Sequence, residues 1–265
     1  MDDAMGDVGS SNREIPSTDP TRVKLLAVPA SHPCAAVAAM LDAKGVPYAR
    51  VDLFPGLSRA WLRLCGFPRG TVPALRAGAE RVQGSRSIAR WLDERQLEPP
   101  FFPADEEARF RVEAIETWAD GPLQDAARQI ILWALLRSRR AVGRSLDGAH
   151  LQFKTPAVIA RLAAWPVLRL DAAINGVSDD TVRQQLASLP ALLDRVDAWI
   201  AAGDLGGNPP SAADYEVAGS IRLLLTVDDL EPIMRGRPTS MLACTLIPVF
   251  PGRVEAGVLP RAWLG

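Results

Sequence analysis

Val23-Lys24-Leu25-Leu26-Ala27-Val28-Pro29-Ala30-Ser31-His32-Pro33-Cys34 is the stretch that decides the fold. Its apolar run from Val23 to Val28 has the length of a buried strand, and Pro29 ends it because proline cannot donate to a ladder. Ser31-His32-Pro33 then opens a helix, with the proline in the first turn where its missing N–H is harmless. Val37, Met40 and Leu41 recur at helical spacing, and Lys44-Gly45 reads as the helix end. Tyr48 to Leu53 alternates as a second strand, so the unit is βαβ with parallel strands expected. Beyond it Trp61, Leu62 and Leu64 predict a short helix, and a strand begins at Thr71-Val72-Pro73-Ala74-Leu75. Gly78 turns the chain, Arg81-Val82-Gln83 returns antiparallel, and Gly84-Ser85 opens a helix carrying Ile88, Trp91 and Leu92 on one face. By Leu97 the order is β-α-β-α-β-β-α.

Glu98-Pro99-Pro100-Phe101-Phe102-Pro103 marks a boundary, since three prolines in six residues cannot continue a helix. The phenylalanines offer a way to pin this link onto a neighbouring surface. Past it the pattern is helical. Ile115, Trp118, Ala119, Leu123, Ala126, Ile130 and Trp133 form one apolar stripe on a long helix that Gly121-Pro122 should kink. Further helices are expected over Val158 to Leu170, over Val182 to Ala202 with an interruption at Pro190, and over Ser211 to Val227. The segment from Pro248 to Gly265 reads as an extended wrap. The expected domains are a disordered tail over 1–21, an α/β domain over 22–97, a Pro-rich linker over 98–103 and an all-helical domain over 104–265.

Composition narrows the function classes. The 265 residues carry a net charge of -1 and 48% apolar residues. That balance gives no field for nucleic acid or a membrane surface, and no apolar run reaches the length of a membrane span. Three cysteines form neither a metal-ligand spacing nor an even disulfide framework, which fits a reducing cytoplasm. The first twenty residues lack the basic start and apolar stretch of a secretory signal.

Four motifs in this order resemble the glutathione-transferase superfamily from about Val23 to about Leu225. Ser31-His32-Pro33-Cys34 resembles the Ser-Ser-Pro-Cys of delta-class enzymes. Thr71-Val72-Pro73 resembles the Thr-Ile/Val-Pro that holds the superfamily's cis-proline. Gly84-Ser85-Arg86-Ser87-Ile88 resembles Glu-Ser-Arg-Ala-Ile, and Ser211-Ala212-Ala213-Asp214 resembles the capping box of a core helix in the second domain. The resemblance implies a thioredoxin-like N-terminal domain followed by an all-α domain, homodimerisation, and glutathione or a related thiol as cosubstrate with no permanently bound cofactor and no metal.

It also implies roles. Ser31 at a helix N-terminus is the expected catalytic residue, its hydroxyl donating to the thiol sulfur and favouring the thiolate; the alternative is a plain N-cap. Cys34 competes for that role, and packing is favoured for it. His32 is expected to be an exposed loop residue. A cis Val72–Pro73 bond would turn the Val72 backbone toward a bound thiol, as an added strand; the alternative is a trans proline starting an edge strand. Ser85 and Arg86, at another helix start, would hold the γ-glutamyl carboxylate. Two departures stand out. Gly84 replaces the acidic residue that normally meets the ligand's ammonium, leaving Gln83 as a neutral substitute. Arg69-Gly70 stands where Gln-His is usual, with Arg69 either contacting the glycyl carboxylate or solvated in its loop. The family's alternative catalytic tyrosine at the end of the first strand is absent; the tyrosines are Tyr48 and Tyr215. Trp118, Trp133 and Trp165 are candidates to line an acceptor pocket, with core packing the alternative. The expected activity is conjugation of the thiol to an electrophilic small molecule in a cleft between the domains. A non-catalytic binding or interaction protein of the same fold is the alternative.

Overall fold

The computed structural model describes residues 23–53, 58–96, 98–145 and 157–264; the predicted tail over 1–21 lies outside them. The first half is built on a four-stranded sheet. Strand β1 (Val23–Ala27) leads into helix α1 (His32–Ala43), β2 (Ala49–Asp52), α2 (Ser58–Leu64), β3 (Ala74–Ala77), β4 (Glu80–Gln83) and α3 (Ser85–Arg95). The sheet order is β2-β1-β3-β4, with β2 parallel to β1, and β3 antiparallel to both β1 and β4. Leu25 pairs with Arg50 on one side and Leu75 on the other, so β1 is the central strand and its apolar run is buried. The strand expected from Thr71 starts at Ala74, because Val72–Pro73 is a cis peptide outside the ladder.

The remainder is helical: α4 (Glu106–Trp118), α5 (Gln124–Leu135), α6 (Arg139–Ser145), α7 (Ala157–Ile174), α8 (Asp179–Ala202), α9 (Ala212–Leu224), α10 (Glu231–Met234) and α11 (Pro238–Leu246). The kink expected at Gly121-Pro122 takes a specific form. One π-helical turn, Ala119–Leu123, holds Pro122 and joins α4 to α5. The interruption expected at Pro190 does not occur; α8 runs through it. A proline in a helix interior costs about 3 kcal/mol. Here Leu186, Leu189, Leu193 and Val196 are buried along one stripe, and each such side chain returns about 1.5–3 kcal/mol. Ser178 and Thr181 close a capping box at its start. From Pro248 onward the chain is irregular, bridging at Val254 to Val227 and ending in a single 3-10 turn at Arg261–Trp263.

The two parts meet along α9. Every residue from Ala212 to Ile221 is buried, and α9 packs on α1, α4, α5 and α11. Gly219 lets α1 approach: a Cβ there would stand 2.9 Å from the His32 carbonyl oxygen. Asp214 fixes the start of α9, accepting from the backbone of Gly206 at 2.6 Å and Ser211 at 2.8 Å and from the Ser211 hydroxyl at 2.7 Å. The linker is pinned from within, as its phenylalanines led one to expect. Phe101 and Phe102 are buried, and Phe101 meets Tyr215 edge-on at 5.5 Å. Lys44, at the end of α1, reaches Asp93 at 2.8 Å and the carbonyls of Gln96 and Pro99 at 2.5 Å each, with its ammonium 4.3 Å from the Phe101 ring. No helix among the described residues is long and apolar enough to cross a membrane.

Candidate functional site

A cleft of about 910 Å³ opens between the sheet domain and the helices. Its first wall consists of the ends of the α/β elements: Ser31 at the start of α1, the Arg69–Pro73 loop, and Gly84 to Ser87 at the start of α3. Its second wall comes from α5, α6 and α7, with apolar Ile131, Leu132, Leu135, Val142, Val167 and Leu168. All six residues expected at the site, Ser31, Arg69, Val72, Pro73, Ser85 and Arg86, line this one cleft.

Ser31 occupies the N-cap position of α1, yet its hydroxyl makes no capping hydrogen bond. The hydroxyl instead contacts the Cys34 thiol within α1, while the helix N-terminus carries a partial positive charge that favours an anion. Cys34, one turn on, is fully buried. Burial pushes its thiol up to about 11, against weaker opposition from hydrogen bonds to the Ser31 hydroxyl and the Val28 backbone. A thiol held protonated is a packing residue rather than a nucleophile.

The loop before the cis peptide is clamped by Gln83. Its Oε1 accepts from the Arg69 N–H at 3.0 Å, and its Nε2 donates to the carbonyls of Arg69 and Thr71 at 2.6 Å each. Gln83 thus shapes the loop and does not line the cleft where a ligand ammonium would meet it. Arg69 reciprocates, its guanidinium donating to the Gln83 carbonyl at 2.9 Å. Gly84 has φ +94°, a conformation that side-chain-bearing residues rarely adopt, so the departure from an acidic residue is matched by the backbone. Arg86 lines the cleft but turns its head onto α4, 2.9 Å from the Thr117 hydroxyl and 3.5 Å from Glu116. Arg90 supports the same carboxylate at 2.9 Å.

One group that the sequence placed wrongly and one that it passed over lie here. His32 is not an exposed loop residue: it is the first residue of α1 and only 5% exposed, because α9 presses against α1 at Gly219. It lines the cleft, and its Nε2 has no hydrogen-bond partner. Burial, reinforced by the Arg128 guanidinium on α5, pulls its pKa down to about 3, so the imidazole is neutral. Glu216, one turn before Gly219 on α9, is buried beneath the start of α3 with Oε1 lacking a partner. Burial raises its carboxyl to about 8; a hydrogen bond from Ser85 opposes this, while Glu116 and Asp120 add to it. A second acid, two residues past the capping Asp214 inside Ala212-Ala213-Asp214-Tyr215-Glu216-Val217-Ala218, was the available signal.

The tryptophans do not serve the cleft. Trp118 meets Trp199 edge-on at 4.9 Å; Trp133 is buried against Trp263 and donates to Asp179 at 2.8 Å; Trp165 stacks with Arg139 and Arg169. None of the three lines the cleft. Packing between helices claims these rings, and aliphatic side chains form the wall instead.

Residues 25–100 match the family described as "Glutathione S-transferase, N-terminal domain". Among curated proteins, a maleylpyruvate isomerase from Ralstonia sp is 38% identical over 79 residues, a match spanning 28% of this chain and 36% of that protein's length. The theta class glutathione S-transferase of Xanthomonas axonopodis pv. citri, solved with glutathione bound, is 16% identical with a TM-score of 0.53, covering 92% of this chain and 90% of that one. Glutathione transferase F7 from Populus trichocarpa is 18% identical with a TM-score of 0.56, covering 83% and 91%. Residues 25–100 thus match a glutathione S-transferase N-terminal domain, and the helical region that follows them gives the chain the fold of these structures.

Proposed function

We propose that the cleft binds glutathione or a related low-molecular-weight thiol and conjugates it to an electrophilic small molecule. The observation that carries this is the shared opening of two helix N-termini, α1 at Ser31 and α3 at Ser85, together with the Val72 backbone, onto one cleft whose opposite wall is apolar. The thiol would lie along the first wall. Ser31 would donate to its sulfur and favour the thiolate, a nucleophile that neutral thiols lack. Val72 would pair with the ligand backbone as an added strand, and the start of α3 at Ser85 would receive a carboxylate. Arg69 and Arg86 would add positive charge. The electrophile would sit against α5 and α7. On this reading the protein works in the cytoplasm as a homodimer.

A non-catalytic binding protein is the second reading, favoured by Gly84 and by the engagement of Arg86 with Glu116 and Thr117. Calorimetric titration with glutathione and other small thiols, followed by turnover of a generic aryl halide, separates the two. Binding with turnover supports the enzyme; thiol binding without turnover of any electrophile supports the second reading; absence of thiol binding defeats the proposal.

A further inference from the structure

A γ-glutamyl end is zwitterionic, with a carboxylate and an ammonium on one carbon. The start of α3 has donors for the carboxylate but no acid for the ammonium. Gly84 has no side chain, Gln83 is spent on the loop, and a Cβ at Gly84 would stand 3.5 Å from the Arg69 guanidinium. An ammonium here needs a carboxylate from the opposite wall. Glu116 is taken by Arg86 and Arg90. Asp171 accepts from Asn175 at 3.1 Å and lies beside Arg128. Asp120 differs: it lines the cleft, is exposed, and pairs with no Lys or Arg among the described residues. Gln124, only 7% exposed, donates from Nε2 to Asp120 Oδ1 at 2.9 Å, and its own Oε1 accepts from Arg128. This buried amide fixes one carboxylate oxygen and leaves Oδ2 as an acceptor.

Asp120 also stands on the Ser85 side of the cleft. Arg86, next to Ser85, donates to Thr117 at 2.9 Å and reaches Glu116 at 3.5 Å; Asp120 follows these two by three and four residues, on the same face. Glu216, beneath Ser85, feels the charge of Asp120. A Cβ on Gly121 would meet nothing within 4 Å, so there is room beside it. Asp120 belongs to the π turn, and such single turns occur mostly at functional sites.

We infer that Asp120 receives the ammonium of the thiol's γ-glutamyl end, while the start of α3 at Ser85 receives the neighbouring carboxylate. This rests on the thiol-binding reading and adds which thiols qualify: those that carry a free α-amino acid end. The acid missing at Gly84 is supplied from the helical wall, so the ligand is held by both parts of the chain. Two contacts on one carbon fix the orientation of that end, and with it the reach of the sulfur toward Ser31.

The test compares S-methylglutathione with its desamino analogue, in which a glutaryl group replaces the γ-glutamyl group, by calorimetric binding to the full chain. Only the ammonium distinguishes the two. S-methylglutathione should bind roughly five- to tenfold more tightly, between the worth of an exposed ion pair and that of a desolvated charge-assisted hydrogen bond. Asp120→Asn, which can still accept from Gln124, should bring that ratio below about twofold by weakening S-methylglutathione alone. Asp120→Glu, which keeps the charge, should retain more of it, and Asp171→Asn should leave it unchanged. Thermal melts report whether the variants fold; if Asp120→Asn does not, Asp120→Ser decides. A wild-type ratio near one, a preference for the desamino analogue, a ratio that survives in the folded Asp120 variant, or one that falls equally in Asp171→Asn overturns the inference. Binding of both ligands with a ratio near one sinks the inference and leaves the thiol site standing; binding of neither sinks both. A ratio that behaves as expected without turnover of any electrophile supports the inference and sinks the conjugation reading alone.

Discussion

Replacing Glu216 by Gln should change how the stability of the fold depends on pH. The side chain is 4% exposed and its carboxyl is raised from the ordinary 4.5 to about 8, chiefly by burial. In the unfolded chain it ionises near its ordinary value; in the folded chain it stays protonated until about 8. The folded state therefore holds the extra proton between those limits. Stability is complete below about 4.5 and is lost progressively as pH rises toward about 8, where the loss is complete. Each pH unit in that window is worth about 1.4 kcal/mol, so the whole interval amounts to roughly 5 kcal/mol, an upper bound because water and neighbours relax around a buried charge. Glutamine keeps the shape and the Ser85 contact but cannot ionise. Urea denaturation at pH 5, 6, 7 and 8 should show wild type and Glu216→Gln nearly equal at pH 5, with the variant ahead by about 2–4 kcal/mol at pH 8. Subtracting the two curves removes the contributions of Glu116 and Asp214, also raised by burial, save for the coupling of Glu116 to Glu216. Parallel curves over this range would refute the reasoning, since they would mean that Glu216 ionises alike in both states.

Ser31→Ala should raise the pKa of a bound thiol by roughly 1–2 pH units, the worth of one charge-assisted hydrogen bond, and slow conjugation to match; thiolate absorbance against pH measures it, and Cys34→Ala should do much less because its thiol is protonated to about 11. If instead Cys34→Ala abolishes turnover and Ser31→Ala does not, the serine mechanism is wrong. Gly219→Ala, which would stabilise an exposed helix by about 1 kcal/mol, should here destabilise by about 1–3 kcal/mol, because the new methyl meets the His32 carbonyl; an equal or higher urea midpoint contradicts that packing. Lys44→Met should cost about 3 kcal/mol by stranding Asp93 and two carbonyls at the linker, and a change under about 0.5 kcal/mol would show that the clasp is slack.

The succession of strands and helices and the pairing of sequence neighbours were legible in the sequence because their signals are local, whereas the β1–β3 pairing that sets the sheet order joins distant segments. The Val23–Val28 run, the first-turn Pro33, Gly78 and the Ser211/Asp214 box each act within a few residues. Val72–Pro73 was legible through motif order. The misjudged features all depend on partners distant in the chain. His32 is buried because α9 presents Gly219 nearly two hundred residues later. Pro190 is carried through by a buried stripe whose partners lie on other helices. Trp118 and Trp133 face tryptophans near or beyond the end of α8, which an amphipathic pattern cannot tell from a pocket wall. Arg86 shows the same limit: a motif fixed its place at the start of α3, while Glu116 on α4 decided where its charge points.

The π turn at Ala119–Leu123 sets the phase of everything after it. A π turn is in effect one residue inserted into an α-helix, and one residue is about 100° of rotation. Gln124, Arg128, Ile131, Leu132 and Leu135, which line the cleft, present that face because the extra residue has already turned the helix beneath them. Removing it would swing Arg128 away and bring a different row of α5 to the cleft, with no side chain exchanged. The chemistry the second wall offers is thus set by a count as much as by composition, and changing that count would respecify it in a single step.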